Sequence, residues 1–184
     1  MDRHLLVLDL DETLLHATEA PLRRAPDLVV PPFFIYRRPG LAHFIAAAHR
    51  HFDLAVWTSS SPRYAAVVCQ ALFDDPSVLS FVWAGDRCTP TRDFDEGTVT
   101  QSKRLAKLRK KGYDLDRVLV VDDSPEKHAR NYGNLVQIAP YLGDEHDAEL
   151  AYLGEYLEEL ARAPNVRVIE KRLWRRRFVD GDRK

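Results

Sequence analysis

The amino-acid sequence predicts an α/β fold that is doubly wound around a mostly parallel sheet. Short apolar runs alternate along the chain with segments of helical periodicity, which is the strand–helix order of this class. Residues 118–121, with the sequence VLVV, do not alternate with polar residues, as is typical of a strand covered on both faces. The 184 residues and the 45% hydrophobic content suffice for one domain with a buried core.

Five strands and five helices are predicted in alternating order. The strands are expected at residues 5–8, 54–57, 81–83, 117–121 and 135–138, and the helices at residues 41–51, 62–73, 102–111, 125–132 and 147–161. Residues 17–39 contain five prolines and are expected to form a loop with at most a short edge ribbon at 33–36. Residues 84–100 are too short for a separate lid, so we expect short inserts and no large cap domain.

Charge and cysteine content exclude several classes of protein. The 27 basic and 28 acidic side chains nearly cancel, so no global field favours nucleic acid or a membrane surface. Cys69 and Cys88 are too few for a disulfide scaffold and form no metal-binding pair. No apolar run has the length of a signal peptide or a membrane span. We therefore expect a soluble, intracellular protein, cytoplasmic and without a membrane partner, whose oligomeric state the sequence does not indicate.

The chain becomes basic after residue 162, directly behind an acidic predicted helix. The basic side chains are Arg167, Lys171, Arg172, Arg175, Arg176 and Arg177. Because charge runs alone are weak evidence for a binding patch, we expect residues 164–184 to be an extension that packs on, or trails from, a domain of residues 1–163. The alternative is a patch that binds nucleic acid or an acidic partner.

Oxygen-bearing side chains follow three of the predicted strands, where each strand ends. They are Asp9 and Asp11, Thr58 and Ser59, and Asp122 and Asp123. In open α/β sheets, ligands bind beyond the carboxyl ends of the strands, so these residues are expected to meet at one edge. Any one of them could simply cap a helix, but capping does not explain two acidic pairs.

Clustered carboxylates repel one another and are costly to desolvate, unless a cation lies between them. Two or three carboxylates with retained waters suit Mg²⁺ better than zinc, and the sequence has no cluster of Cys or His. Ser61 and Pro62 are typical of a helix N-terminus, which favours anions beside Thr58. Magnesium with such donors predicts a phosphate ligand. Lys103 could supply a fixed charge, although spacing does not distinguish it from Lys107, Lys110 and Lys111.

The motifs resemble those of the haloacid dehalogenase superfamily, and within it the FCP/SCP-type phosphatases that act on the RNA polymerase C-terminal domain. The segment DLDETLLH, from residue 9 to residue 16, is similar to the DxDx(T/V) motif in its extended form. Further matches are YRRPGL at 36–41, WTSSSPRYA at 57–65, SKRLAKL at 102–108, VLVVDDSP at 118–125 and PYLGDEHDAEL at 140–150. The resemblance covers nearly all of the chain up to residue 163 and implies a Rossmann-like core of this superfamily.

The resemblance implies a role for each matching residue. Asp9 would be the nucleophile that forms an aspartyl-phosphate, and Asp11 the general acid and base. Asp9, Asp123 and the backbone carbonyl of Asp11 would bind Mg²⁺, with Asp122 supporting them from behind. For the phosphate, the implied contacts are Thr58 and Lys103, which would offset the charge of the aspartyl-phosphate. Ser59 is also expected to bind the phosphate, because it lies with Thr58 beside the predicted helix N-terminus.

Two positions depart from the pattern of the small phosphatases. Arg87 lies where those proteins have a substrate-contacting arginine, but its distance along the chain from Lys103 is longer than usual. Asp123 lies where they often carry asparagine. Tyr64 is expected either to line the pocket or to pack in the core, His16 to make a local polar contact, and Glu12 to begin a helix.

The favoured function is a Mg²⁺-dependent phosphatase without a large cap, acting on phosphoserine or phosphothreonine in an accessible protein or peptide. The enzymatic alternative is a phosphatase for nucleic-acid ends or small phosphate esters, for which the basic tail would be the distinguishing feature. A non-catalytic docking module of the same fold is a further alternative, although the intact Asp9 and Asp11 count against it. A phosphoacceptor receiver domain would carry its acceptor aspartate after a middle strand, which does not match this order.

Overall fold

The computed structural model describes residues 3–92 and 99–179. Its centre is a five-stranded parallel sheet with the strand order β10-β9-β1-β5-β6. These strands are β1 (His4–Leu8), β5 (Phe52–Trp57), β6 (Leu79–Trp83), β9 (Val118–Asp122) and β10 (Leu135–Gln137). The predicted doubly wound α/β class with a mostly parallel sheet is therefore confirmed, and each predicted strand is present with shifts of one or two residues at its ends.

The register of the sheet aligns the carboxyl ends of its inner strands. Leu8 of β1 lies opposite Val56 of β5 on one side and Val121 of β9 on the other. The residues that follow these positions therefore emerge at one edge. Since both faces of the sheet are covered, β1 and β9 are buried along their whole length, as their unbroken apolar sequences predict.

Two apolar clusters pack against the opposite faces of the sheet. The larger contains Leu6, Leu8, Phe44 and Tyr156, and the smaller contains Trp57 and Trp83 together with Leu105 and Leu108. Successive strand residues point to opposite faces, so Leu6 and Leu8 belong to one cluster while Leu5 and Val7 belong to the other. Trp57, Trp83 and Cys69 are all buried.

The helices flank the sheet and the longer ones agree with their predicted ranges. They are α1 (Leu41–His51), α2 (Pro62–Leu72), α3 (Ala106–Arg109), α4 (Glu149–Leu160) and α5 (Arg176–Val179). The predicted start of α2 is confirmed, since the Ser61 hydroxyl accepts a hydrogen bond from the backbone N–H of Tyr64 at 3.3 Å and Pro62 occupies the first turn.

Two predicted helices are wrong. In the predicted helix 102–111, Ser102 ends strand β8 (Val99–Ser102), and only the short α3 is α-helical, so Lys103 lies in a connecting segment rather than at a helix start. The predicted helix 125–132 is replaced by two 3₁₀ turns, Pro125–His128 and Tyr132–Asn134. In both segments, tertiary hydrogen bonds compete with the local helical pattern, because the backbone N–H of Lys103 donates to the carbonyl of Lys127 at 2.9 Å.

Residues 17–39 contain more regular structure than their prolines predict. Strands β2 (Leu15–Thr18), β3 (Leu28–Val30) and β4 (Phe33–Arg37) form an antiparallel sheet with the order β2-β4-β3, so the expectation of a loop with at most a ribbon was wrong. The prolines lie outside these strands, where a missing N–H does not disrupt the ladder. Of residues 84–100, the described part forms strand β7 (Thr89–Arg92), paired with β8, and residues 93–98 lie outside the described residues.

The described part of the C-terminal segment packs on the domain. Trp174 is buried, its ring is stacked on Tyr156 of α4 with centroids 5.4 Å apart, and its indole N–H donates to the carbonyl of Gln137 at 2.7 Å. Phe178 packs beside the same indole ring. No helix within residues 3–92 and 99–179 is long and apolar enough to cross a membrane.

Candidate active site

A buried lysine lies between two buried aspartates at the carboxyl ends of the sheet strands. The ammonium group of Lys103 donates to Asp9 Oδ1 at 2.7 Å and to Asp122 Oδ2 at 2.6 Å. Asp9 follows β1 and Asp122 ends β9, so the parallel register brings the two carboxylates together. Sequence spacing did not distinguish Lys103 from Lys107, Lys110 and Lys111. In the structure, Lys103 is the one that reaches the carboxylates.

Burial and charge act in opposite directions on these groups. Burial raises the pKa of Asp9 to about 7, although the charge of Lys103 lowers it. Burial also raises the pKa of Asp122, but Lys103 and His128 lower it more, so the net pKa lies well below its usual range. For Lys103, burial lowers the pKa, but the two aspartates raise it by more, so the net pKa is raised and the amine is held as a cation.

Asp11 lies at the same edge and is surrounded by hydroxyl groups. The hydroxyl of Ser60 donates to Asp11 Oδ2 at 2.7 Å, and that of Tyr64 donates to Asp11 Oδ1 at 2.5 Å. The Thr58 hydroxyl lies 3.4 Å from Asp11 Oδ2. Burial and the Asp11 charge raise the pKa of Tyr64, so its phenol remains a donor. Both carboxylate oxygens of Asp11 are thus held in place by side chains of α2 and of the loop that joins β5 to α2.

A tight turn follows Asp11. Glu12 has a left-handed backbone with φ 57°, so it lies in a turn and the expected helix start is wrong. Its carboxylate hydrogen-bonds His16 Nδ1 at 2.9 Å, which confirms a local polar contact for His16. The backbone carbonyl of Glu12 accepts the N–H of Tyr141 at 2.7 Å, so the loop after β10 is bound to this turn.

The oxygens of Asp9, Asp122 and Asp123 form a cluster that can hold a metal ion. One carboxylate oxygen from each lies within 4.8 Å of the others. Asp122 already accepts from Lys103, His128 and the N–H of Ser124, whereas the described hydroxyl donors to Asp123, Thr13 and Ser124, lie farther away at 3.3 Å and 3.4 Å. Burial and the neighbouring Asp122 raise the pKa of Asp123, although the charge of Lys127 lowers it. An all-oxygen set with excess negative charge fits Mg²⁺.

Ser59 and Arg87 are less closely associated with the carboxylates. The Ser59 hydroxyl lies 4.0 Å from the thiol of Cys88, and the loop containing Gly85 packs against the Ser59 backbone. The guanidinium of Arg87 is half exposed, lies 5.7 Å above the ring of Trp83 and 3.8 Å from Asp86, and so stands at the rim. The structure brings together Asp9, Asp11, Thr58, Lys103, Asp122 and Asp123. Among the described residues, the side chains of Ser59 and Arg87 contact Cys88, Trp83 and Asp86 rather than these six.

Sequence reasoning missed several residues of the site. Ser60, His128 and Asn131 each contact one of the charged residues, and Tyr64 was left between pocket and core. Ser60 could have been found as a third hydroxyl next to Thr58, whereas Asn131 and His128 reach the site only through the fold. Arg38 is fully buried behind the site, where it donates to the carbonyls of Thr13 and Ala139, both at 3.0 Å.

The fold and the acidic cluster define a class of protein, the haloacid dehalogenase-type α/β proteins. The fission yeast RNA polymerase II CTD phosphatase Fcp1, solved with beryllium fluoride, has a similar fold with a TM-score of 0.66, 20% identity and coverage of 86% of this chain and 62% of that chain. The family model described as NLI interacting factor-like phosphatase matches residues 4–167. The chain belongs to this family, in the FCP/SCP branch of the superfamily.

Curated relatives are similar over nearly the whole chain. A probable C-terminal domain small phosphatase of Dictyostelium discoideum is 32% identical over 173 residues, which are 89% of this chain and 53% of that protein. The human carboxy-terminal domain RNA polymerase II polypeptide A small phosphatase 1 is 30% identical over 173 residues, which are 90% of this chain and 62% of that protein. The chain thus spans between half and two thirds of the length of these two relatives.

Proposed function

We propose that the chain is a Mg²⁺-dependent phosphomonoester hydrolase that works through an aspartyl-phosphate on Asp9, and that its substrate is phosphoserine or phosphothreonine in a protein. The observation that carries this proposal is the buried Asp9 carboxylate, which lies 2.7 Å from Lys103 and within 4.8 Å of Asp123. A nucleophile beside a fixed cation and a metal-binding carboxylate is the arrangement that phosphoryl transfer requires.

Asp9 supplies the nucleophile and Lys103 the fixed charge. A carboxylate oxygen of Asp9 attacks phosphorus while the bond from phosphorus to the leaving oxygen breaks. Lys103, held as a cation by Asp9 and Asp122, offsets the negative charge that is spread over the transferring phosphoryl group. Thr58 is buried at the end of β5 on the same edge, where its hydroxyl and the adjoining N-terminus of α2 favour the phosphoryl oxygens.

Asp11 moves the proton in both steps. In the first step it donates a proton to the leaving oxygen, and in the second it takes a proton from the water that hydrolyses the aspartyl-phosphate. The hydroxyls of Ser60 and Tyr64 hold its carboxylate in one orientation. Asp9, Asp123 and the Asp11 backbone carbonyl would hold Mg²⁺, with Asp122 behind them, and the ion would supply electrostatic stabilisation of phosphoryl charge.

A protein substrate is favoured by the activities after which similar proteins are named and by the small inserts around the site. The similar human and yeast proteins are named as phosphatases of an RNA polymerase II domain, a phosphorylated protein. The described part of segment 84–102 forms a 3₁₀ turn and a two-stranded ribbon, and such small elements support a site that admits a macromolecule. The exposed guanidinium of Arg87 stands at this rim and is proposed to meet the substrate beside the phosphate.

The experiment is a steady-state assay of the purified chain on several phosphate esters. The panel contains a phosphoserine peptide, a phosphothreonine peptide, p-nitrophenyl phosphate, small sugar phosphates and a 5′-phosphorylated oligonucleotide, each with Mg²⁺ and with excess EDTA. We expect hydrolysis of the peptides in Mg²⁺ and its loss in EDTA. Turnover of the small esters or the oligonucleotide but not of the peptides would contradict the protein substrate and support the alternative phosphatase.

The nucleophile is tested separately. We expect Asp9→Asn to abolish hydrolysis. When a reaction with ³²P-labelled substrate is quenched rapidly in acid, wild type should retain a base-labile ³²P label, and Asp9→Asn should not. Asp53→Asn, on the neighbouring strand and about half exposed, is the matched control and should behave as wild type. An active Asp9→Asn variant would end the assignment of the nucleophile, and an inactive wild type that still binds phosphopeptides would indicate a docking module.

A further inference from the structure

A fully buried histidine contacts the charged cluster, although the proposed mechanism assigns it no role. His128 is 1% exposed, and its Nε2 lies 2.9 Å from Asp122 Oδ2, the same oxygen that accepts the ammonium of Lys103 at 2.6 Å. The hydrogen bonds therefore run from His128 through Asp122 and Lys103 to Asp9. Because these four side chains are buried, the hydrogen bonds between them are stronger than in water, and the loss of any one bond is costly.

Asn131 determines which nitrogen of His128 carries the hydrogen. The Asn131 carbonyl oxygen accepts the N–H of Leu105 at 3.4 Å, while its amide nitrogen donates to the Lys103 carbonyl at 2.8 Å and faces His128 Nδ1 at 3.3 Å. If the amide were flipped, its oxygen would face the Lys103 carbonyl oxygen and its NH₂ group would face the N–H of Leu105. The present orientation is therefore the one that satisfies these partners. Nδ1 of His128 is therefore an acceptor, and Nε2–H donates to Asp122.

The result is a carboxylate that is fixed at both oxygens. Asp122 Oδ1 accepts the backbone N–H of Ser124 at 2.9 Å, and Oδ2 accepts His128 and Lys103. The lysine side chain is long and flexible, so its ammonium takes its position from the acceptors around it. Asn131 also binds the backbone carbonyl of Lys103, so both ends of this lysine are held by one network.

We propose that His128, with its tautomer set by Asn131, is a positioning residue: it holds Asp122 so that Lys103 points at the phosphoryl group on Asp9. This inference rests on the proposed function, because it assigns the purpose of the network to phosphoryl transfer. His128 touches neither the nucleophile nor the substrate site directly, and its effect passes through Asp122. The same network would otherwise serve packing alone, in which case any side chain of similar size would replace the histidine.

The first test compares two substitutions of nearly equal size. His128→Gln keeps an N–H donor at about the position of Nε2, whereas His128→Met has a similar volume and no donor. On p-nitrophenyl phosphate with Mg²⁺, we expect kcat of His128→Met to fall by about 10- to 100-fold, as for other residues that orient a catalytic group. His128→Gln should recover most of this loss, with both variants folded by circular dichroism. Equal activity of the two variants, whether high or low, would overturn the positioning role.

The second test reads the tautomer directly and does not depend on activity. In wild type labelled with ¹⁵N-histidine, the His128 resonances are assigned by their absence from the His128→Gln spectrum. We expect a neutral ring with the proton on Nε2, and a ring protonated on Nδ1 would overturn the proposal. An inactive wild type would contradict the proposed function itself, whereas an active wild type with an equally active His128→Met contradicts only the role of His128.

Discussion

The carboxylate of Asp9 lies in a buried group that carries more negative than positive charge. Asp9 and Asp122 share one ammonium, and a carboxylate oxygen of Asp123 lies within 4.8 Å of oxygens of both. Carboxylates in such surroundings either take up protons or bind a cation. The raised pKa of Asp9, about 7, expresses the first outcome, and magnesium would provide the second.

We expect Mg²⁺ to stabilise the chain against thermal unfolding through these residues. At an ion concentration of about 100 times Kd, binding to the native state contributes about 2.7 kcal/mol. For a domain of this size, that is a rise in Tm of roughly 5 to 10 °C. Asp123→Ala should lose the rise because it removes a ligand. Asp74→Ala, which changes an exposed acid, should retain it, and an identical rise in both variants would place the ion elsewhere.

The phenol of Tyr64 should matter most for substrates with poor leaving groups. Its hydrogen bond to Asp11 orients the group that protonates the leaving oxygen, and an aryl leaving group needs little protonation. We expect Tyr64→Phe to lower kcat/KM for a phosphoserine peptide by about 10- to 100-fold, with a smaller loss on p-nitrophenyl phosphate. The control is Tyr152→Phe on α4, which should leave both rates unchanged. Equal losses on both substrates would argue against a role in proton transfer.

Arg38 lies in the segment that joins β4 to α1. Behind the site, it connects this segment to the turn after Asp11 and to the connection between β10 and α4. It donates to the carbonyls of Thr13 and Ala139 and forms a two-point ion pair with Asp147, with both distances 2.8 Å. Burial raises the pKa of Asp147, but the hydrogen bonds from Arg38 and from the N–H of Glu149 lower it more, so the net pKa is lowered. A carboxyl with a lowered folded-state pKa stabilises the protein above its unfolded-state pKa and loses this contribution in acid.

We therefore expect Asp147→Asn to be most destabilising at neutral pH. Removal of the charge leaves the buried Arg38 uncompensated, at a cost of about 3 kcal/mol in the free energy of unfolding at pH 7. The difference from wild type should begin to shrink as the pH falls below about 4, where the carboxyl of the unfolded chain becomes protonated, and should shrink further as the pH falls through the lowered folded-state pKa. Urea unfolding between pH 7 and pH 3 measures this. Asp144→Asn, in the same loop but exposed, is the control, and a pH-independent difference for Asp147→Asn would contradict the argument.

The C-terminal segment stabilises the edge strand β10 and helix α4 at once. Trp174 is 3% exposed, stacks on Tyr156 and binds the carbonyl of Gln137. We expect Trp174→Ala to lower the free energy of unfolding by about 3 to 5 kcal/mol, because it opens a large cavity in the core. Leu173→Ala, one residue earlier and 56% exposed, should change it by less than about 1 kcal/mol. Comparable losses in both would show that the segment packs otherwise in solution.

At the scale of the whole molecule, the described part of the basic C-terminal segment, residues 164–179, pairs most of its basic side chains with carboxylates. Four of its basic residues lie in ion pairs with carboxylates: Arg167 with Asp116, Arg172 with Glu170, Arg175 with Glu149 and Arg177 with Glu159. Together with a formal net charge of −1, this pairing leaves little charge to release counterions from a phosphate backbone.

We therefore expect the Kd for a 20-nucleotide single-stranded or duplex DNA to be above about 100 μM at physiological salt. This Kd is the weak limit of non-specific binding. Fluorescence anisotropy at several salt concentrations measures this. Micromolar binding with a steep salt dependence, abolished by Arg172→Gln with Arg176→Gln, would instead support the nucleic-acid alternative. The double variant should have no effect on phosphopeptide hydrolysis, since both side chains lie in the C-terminal segment outside the acidic cluster.

Agreement between sequence and structure depends on how local the decisive interaction is. The strand of residues 118–121 and the helix of residues 41–51 were predictable, because unbroken apolar sequence and helical periodicity agree with the surroundings they meet. The predicted helix from residue 102 was wrong, because Ser102 pairs in β8 and Lys103 binds Lys127. The sheet of β2, β3 and β4 was missed, because a few residues per strand between prolines give little periodic signal.

The sequence by itself determined the class of fold, the edge at which the site lies and the oxygen chemistry of Asp9, Asp11, Asp122 and Asp123. These follow from apolar strands that end in carboxylates, since parallel strands place their ends at one edge. Only the tertiary structure selected Lys103 among the lysines and placed the hydroxyls around Asp11. Those contacts join residues far apart in the chain, and their geometry depends on register and loop path, which local sequence does not encode.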